Sequence, residues 1–188
     1  MADDDALDAR HNYASRERGV WGMLGNAMAR VADFRFDDTT WKSGRDLQRA
    51  EWKLLLEELV QDGDFDEALA GRYMLATATR STVLFEALDD EGVVVHAVRL
   101  ELSALAEPIR EYAGIIRRLH VSEESYNTAS FRALDMAKKV VHDRGVDILS
   151  RTIGSISTDP ATLRRIFSIV FSLRVDTSKL PWAHRHAS

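Results

Sequence analysis

The chain has 188 residues, 45% of them apolar and 29% charged, proportions of a folded protein rather than of a disordered chain. It contains no cysteine, which excludes disulfides, thiolate nucleophiles, thiolate-bound zinc and iron–sulfur clusters. The net charge of -5 is mild but uneven, with an acidic excess over residues 1–104 and a basic excess over residues 105–188, a polarity suited to steering a partner or to self-pairing.

In chain order, residues 1–12 are acidic and poor in bulky apolar side chains, and are expected to be disordered. Residues 13–31 place Val20, Trp21, Leu24, Met28 and Val31 at roughly helical spacing, which predicts a peripheral helical extension weakened by Gly19, Gly22 and Gly25. Asp33 to Phe36 read as a short strand. Ser43 is placed to cap a helix that carries Asp46 in its first turn and Leu47, Trp52, Leu55, Leu56 and Leu59 on its buried face, ending at Gln61 to Asp64.

From Arg72 to Leu102 the apolar period becomes two. Tyr73, Leu75 and Thr77, then Val83 and Phe85, then Val93, Val95 and Ala97 read as three strands, with Asp89 to Gly92 as the turn between the last two. The remainder is helical. Ser103 and Pro108 open a helix with Leu105, Ile109, Tyr112, Ile116 and Leu119 on one side. A longer helix is predicted from about Tyr126 to Ile153, with Phe131, Leu134, Ala137, Val141 and Ile148 as its core stripe. Asp159-Pro160 then caps a last helix carrying Leu163, Ile166, Phe167, Val170 and Phe171. Residues 176–188 read as a polar tail.

Strand-period segments followed by helix-period segments predict an α+β fold: an antiparallel three- to four-stranded meander packed in two layers against about four helices, forming a single domain over residues 32–175. No apolar run approaches the ~20 residues that span a bilayer, and the start Met1-Ala2-Asp3-Asp4-Asp5 is the opposite of a basic signal peptide, so the expected location is the cytoplasm, away from membranes.

No phosphate loop, dinucleotide fingerprint, nucleophile elbow or zinc helix motif is present. No two of the six histidines sit four apart on one predicted helix face, and no metal site or cofactor is expected. The basic pairs Arg117-Arg118 and Arg164-Arg165 lack interleaved aromatics and read as solvated helix faces, which disfavours nucleic acid as a partner.

One stretch concentrates polar chemistry. On a helix, Asp135, Lys139, His142 and Val146 fall within about 60° of one another beside the core stripe. Asp135 in that position can fix the tautomer of His142, making it a base or phosphoacceptor, with Lys139 stabilising negative charge. Alternatively Asp135 and Lys139 form an ordinary ion pair and His142 packs at the core rim. Gly145 costs roughly 1 kcal/mol relative to alanine inside a helix and so calls for an offsetting reason, either close approach of another backbone or a break in the helix. The binding residues singled out are Asp135, Lys138, Lys139, His142 and Gly145, with no catalytic assignment. The function read from them is a non-enzymatic interaction or regulatory module that binds a protein partner or itself. The alternative is an enzyme or phosphotransfer protein using His142.

These residues also carry a resemblance. Asp37 with Trp41, Leu54 to Leu59, Val83-Leu84-Phe85-Glu86, His96-Ala97-Val98-Arg99-Leu100, Leu134-Asp135-Met136 with Lys138-Lys139, His142-Asp143-Arg144-Gly145, and Thr162 with Arg164-Arg165-Ile166-Phe167 together resemble the alphaproteobacterial group called uncharacterised protein family 0262. The resemblance runs over residues 33 to 175. It implies a bacterial cytoplasmic protein of unassigned function and supplies no catalytic residues. The chain departs from that pattern in its extended N-terminal segment, in its longer polar tail, and in Asp143-Arg144 where the family has an Asn-Glu type of pair.

Overall fold

The computed structural model describes residues 28–124, 128–157 and 159–176. The expected disordered start, most of the 13–31 extension, the polar tail past Asp176 and the opening of the long helix at Tyr126 lie outside the described residues, as do the side chains of Leu119 and Phe131.

Among the described residues, six strands and five α-helices follow one another as β1 (Met28–Ala29), β2 (Asp33–Phe36), α1 (Asp38–Ser43), α2 (Asp46–Asp62), β3 (Phe65–Asp66), β4 (Tyr73–Ala78), β5 (Thr82–Leu88), β6 (Val94–Glu101), α3 (Ala106–Glu124), α4 (Thr128–Ile153) and α5 (Pro160–Arg174). The result is the expected α+β arrangement of sheet against helices. Met28 and Val31, placed on the helical extension by spacing, are instead a strand residue and a core residue.

The main sheet has the order β2-β4-β5-β6, and it is mixed rather than wholly antiparallel. β4, β5 and β6 form the predicted meander, with Tyr73 opposite Leu88 and Thr82 opposite Glu101. β2 joins its edge in parallel, Asp33 opposite Tyr73 and Phe36 opposite Ala76. A parallel neighbour requires a long crossover, and here α1, α2 and β3 supply it. A separate two-stranded antiparallel ribbon pairs β1 with β3.

The β5–β6 turn is built as its residues demand. Gly92 takes φ +78°, and the Asp89 carboxylate accepts from the backbone N–H groups of Glu91 at 3.1 Å and Val93 at 2.8 Å. The phase of two strands is the reverse of the expected one. Met74 and Ala76 of β4 face the core in place of Tyr73, Leu75 and Thr77, and Leu100 of β6 does so in place of Val95 and Ala97. Only β5 keeps its predicted face, with Val83 and Phe85 buried.

Helix ends differ from expectation at the front and agree at the back. Ser43 closes α1, donating to the Thr40 carbonyl at 2.6 Å, so α2 begins at Asp46 behind an Arg45 that gives no side-chain cap. Leu47 is exposed, whereas Trp52, Leu56 and Leu59 fill the core. Ser103 lies within a 3-10 turn over Leu102–Leu105 that precedes α3, and so does not cap that helix. At α5 the Asp159 carboxylate accepts from the Thr162 N–H at 2.7 Å with Pro160 in the first turn. Burial alone would raise the Asp159 pKa, but these hydrogen bonds outweigh it and hold the group below its usual value. α5 is the most enclosed helix, with Leu163, Ile166, Phe167, Ile169, Val170 and Phe171 all buried, each worth roughly 1.5–3 kcal/mol of apolar burial.

None of the described helices is long and apolar enough to cross a membrane.

Candidate functional site

α4 carries all five residues that the sequence singles out, and it runs unbroken from Thr128 to Ile153. Its residues divide between two environments. His142 and Gly145 face the neighbouring helices, Asp135 and Lys139 lie toward the outside, and half-buried Lys138 sits one turn before His142.

The inner group is a three-helix crossing. The His142 ring meets Phe167 of α5 edge-on, with centroids 4.9 Å apart, and tilts against Tyr112 of α3 at 5.6 Å. Tyr112 and Phe167 in turn pack edge-to-face at 5.8 Å. Burial lowers the His142 pKa to about 4, Arg164 and Lys138 push it the same way, and Asp143 opposes them. His142 is therefore neutral at pH 7 and a weak base there.

Gly145 has the offsetting reason that its helix position requires, but the partner is a side chain. A Cβ at this position would overlap the ring of Phe167, so the missing methyl is what lets α5 close on α4. The two residues between His142 and Gly145 reach in opposite directions. Asp143 accepts from Arg164 of α5 at 2.7 and 3.0 Å, while Arg144 donates to Glu107 at 2.6 Å and Glu111 at 3.4 Å, both on α3. His142-Asp143-Arg144-Gly145 thus ties α3 and α5 to α4 by two ring contacts, one glycine seat and two sets of ion pairs.

The outer group differs. Asp135 pairs with Lys139 at 3.4 Å, an exposed pair one turn apart, instead of orienting His142. Beside them Met136 and Val140 are 69% and 68% exposed, the two most exposed large apolar side chains among the described residues. Ala133, one turn earlier, is exposed as well.

Two further features bear on chemistry. Among the described residues no group of three or more His, Cys, Asp or Glu side chains is placed to hold a metal ion. A cleft of about 470 Å³ opens where the β4–β5 turn, the end of β6, α3 and the end of α5 meet, and Arg80, Arg110, Arg117 and Arg174 line it. The sequence reading places Arg117 on a solvated face and does not single out Arg80, Arg110 or Arg174. The available signal was the seven-residue spacing of Arg110 and Arg117, which puts both on one side of α3.

Comparison with known proteins places this arrangement in one family. Residues 28–176 match the family described as uncharacterised protein family UPF0262. Similar proteins include the UPF0262 protein of Novosphingobium aromaticivorans, 26% identical over 160 residues that cover 78% of this chain and 96% of the relative. That of Hyphomonas neptunium is 27% identical over 151 residues, covering 78% and 93%. That of Rhodospirillum rubrum is 24% identical over 143 residues, covering 74% and 89%. No solved structure matches the chain. Described helices, mixed sheet and the His142 to Gly145 crossing all fall within the matched residues, and the chain belongs to the UPF0262 family of alphaproteobacterial proteins, whose function is unassigned.

Proposed function

We propose that this protein is a non-enzymatic interaction module of the cytoplasm, built on one α+β domain over residues 32–175, and that it pairs with a second copy of itself through the outer edge of α4. The observation that carries this reading is the exposed pair Met136 and Val140, one helical turn apart and flanked by Asp135 and Lys139. Large apolar side chains adjacent on an exposed helix lose free energy to water that a docked surface restores.

The pattern is also self-complementary. In an antiparallel meeting of two α4 helices about a two-fold axis near Lys138, Met136 of each copy lies over Val140 of the other, and Asp135 of each comes within reach of Lys139 of the other. Isologous contacts of this kind are the commonest route to homodimers. The neutral, half-buried His142 and its separation from Asp135 favour a non-catalytic reading over phosphotransfer.

Light scattering coupled to gel filtration tests the pairing. The wild-type chain is expected to elute as a dimer, and Met136→Lys/Val140→Lys as a monomer with an unchanged circular dichroism spectrum, a loss of at least tenfold in self-affinity or about 1.4 kcal/mol. A strictly monomeric wild type at high micromolar concentration removes the self-pairing.

A further inference from the structure

We infer that the arginine-lined cleft binds a small phosphorylated molecule whose phosphate is held at the rim and whose apolar or aromatic body rests on the floor. The floor and the rim are chemically distinct. Leu102, Ile109 and Ala113 are buried beneath the opening and Ala106 adjoins them, so the bottom is apolar. Around it stand the four guanidinium groups, the hydroxyls of Ser81 and Ser103, and one carboxylate, Glu101. A volume of about 470 Å³ suits a small organic ligand, for which apolar walls with a few convergent polar groups are the usual design.

Three of the four arginines have no carboxylate partner among the described residues. Arg80, Arg110 and Arg117 form no ion pair among the described residues, whereas Arg45, Arg144 and Arg164 are each matched to a carboxylate at 2.6 or 2.7 Å. α3 segregates its charges: Glu107 and Glu111 turn to Arg144 of α4, leaving Arg110 and Arg117 to the cleft. Arg174, the last residue of α5, donates to the backbone carbonyl of Arg80 at 3.0 Å and so fixes the helix end against the β4–β5 turn. Four like charges around one concavity repel one another, and an anion relieves that repulsion.

Phosphate is the anion that fits. Guanidinium offers paired donors in a planar fork matched to phosphate oxygens, and several around one site accommodate a dianion. A phosphate alone leaves the floor of Leu102, Ile109 and Ala113 empty. An attached apolar group covers it and gains the corresponding burial.

Calorimetric titration of the full-length chain with phenyl phosphate and with inorganic phosphate at low salt tests the inference. The expected result is saturable one-to-one binding of phenyl phosphate, at least tenfold tighter than inorganic phosphate. Arg110→Gln/Arg117→Gln should weaken it tenfold or more, with the circular dichroism spectrum unchanged because both side chains are exposed. Arg110→Lys/Arg117→Lys should fall between, keeping charge but losing the fork. The inference is overturned if phenyl phosphate does not saturate, if the glutamine variant binds it as well as wild type, or if inorganic phosphate binds equally. A single-stranded oligonucleotide that displaces phenyl phosphate at far lower concentration would also overturn it, by reassigning the cleft to nucleic acid.

Discussion

His142 decides how the polar stretch of α4 is to be read at the scale of single residues. From sequence it is a possible base held by Asp135. In the fold, the aromatic rings of Tyr112 and Phe167 pack against it and Asp135 is paired with Lys139. The pH dependence follows in sign. An ordinary histidine in the unfolded chain titrates near 6.5, and His142 in the fold near 4, so the unfolded state binds the proton first. The stability it contributes is complete above about pH 6.5 and is lost as pH falls from there toward 4, by roughly 2 kcal/mol after allowance for its partial exposure. Chemical denaturation at pH 7 and pH 4.5 checks this against His142→Leu: wild type should lose more stability than the variant over that interval. Asp37 and Asp159, whose carboxyls are also held low, titrate in both proteins and cancel in the difference.

At the scale of elements, the approach of α5 to α4 depends on a single absent methyl group. Gly145→Ala should raise intrinsic helix propensity by about 1 kcal/mol yet lower overall stability by about 1–3 kcal/mol, because the new Cβ meets the Phe167 ring. Urea denaturation of the variant measures the sign directly. Combining it with Phe167→Leu should give a smaller loss than the two single changes added together, since both act on one contact.

The elements themselves were unequally legible. Asp159-Pro160 announced α5 because a cap and a first-turn proline are local signals. β4 and β6 bury the face opposite to the one their alternation suggests, because Tyr73, Leu75 and Val95 are apolar residues that stay on the open side of the sheet, and alternation alone does not name the inner face. The parallel seat of β2 beside β4 was invisible to periodicity, which reports how a strand is half-buried but never which strand it joins. Propensity alone marks Gly145 as anomalous within a helix. Its partner, Phe167, needed the three-dimensional fold.

At the scale of the whole molecule, the polar residues have been distributed among three places rather than gathered into one site. His142 to Gly145 fasten three helices, Met136 and Val140 with Asp135 and Lys139 face outward, and four arginines surround a separate cleft. The sequence pointed to the first two as one edge because they share a helix. Helical spacing cannot say how α3 and α5 divide that edge between them. The cleft leaves no local signal in the sequence because its arginines come from a turn and two helices, with nearly a hundred residues of chain between Arg80 and Arg174.

The division of α4 into a fastening face and a docking edge is the central claim, and one paired measurement tests it: sedimentation equilibrium and urea denaturation on the same preparations of His142→Ala and Met136→Lys/Val140→Lys. The division predicts that His142→Ala loses about 1–3 kcal/mol of stability yet still self-associates, while the Met136/Val140 variant keeps wild-type subunit stability and is monomeric. A stable His142→Ala protein that no longer associates would contradict it, because the inner face would then be the binding surface.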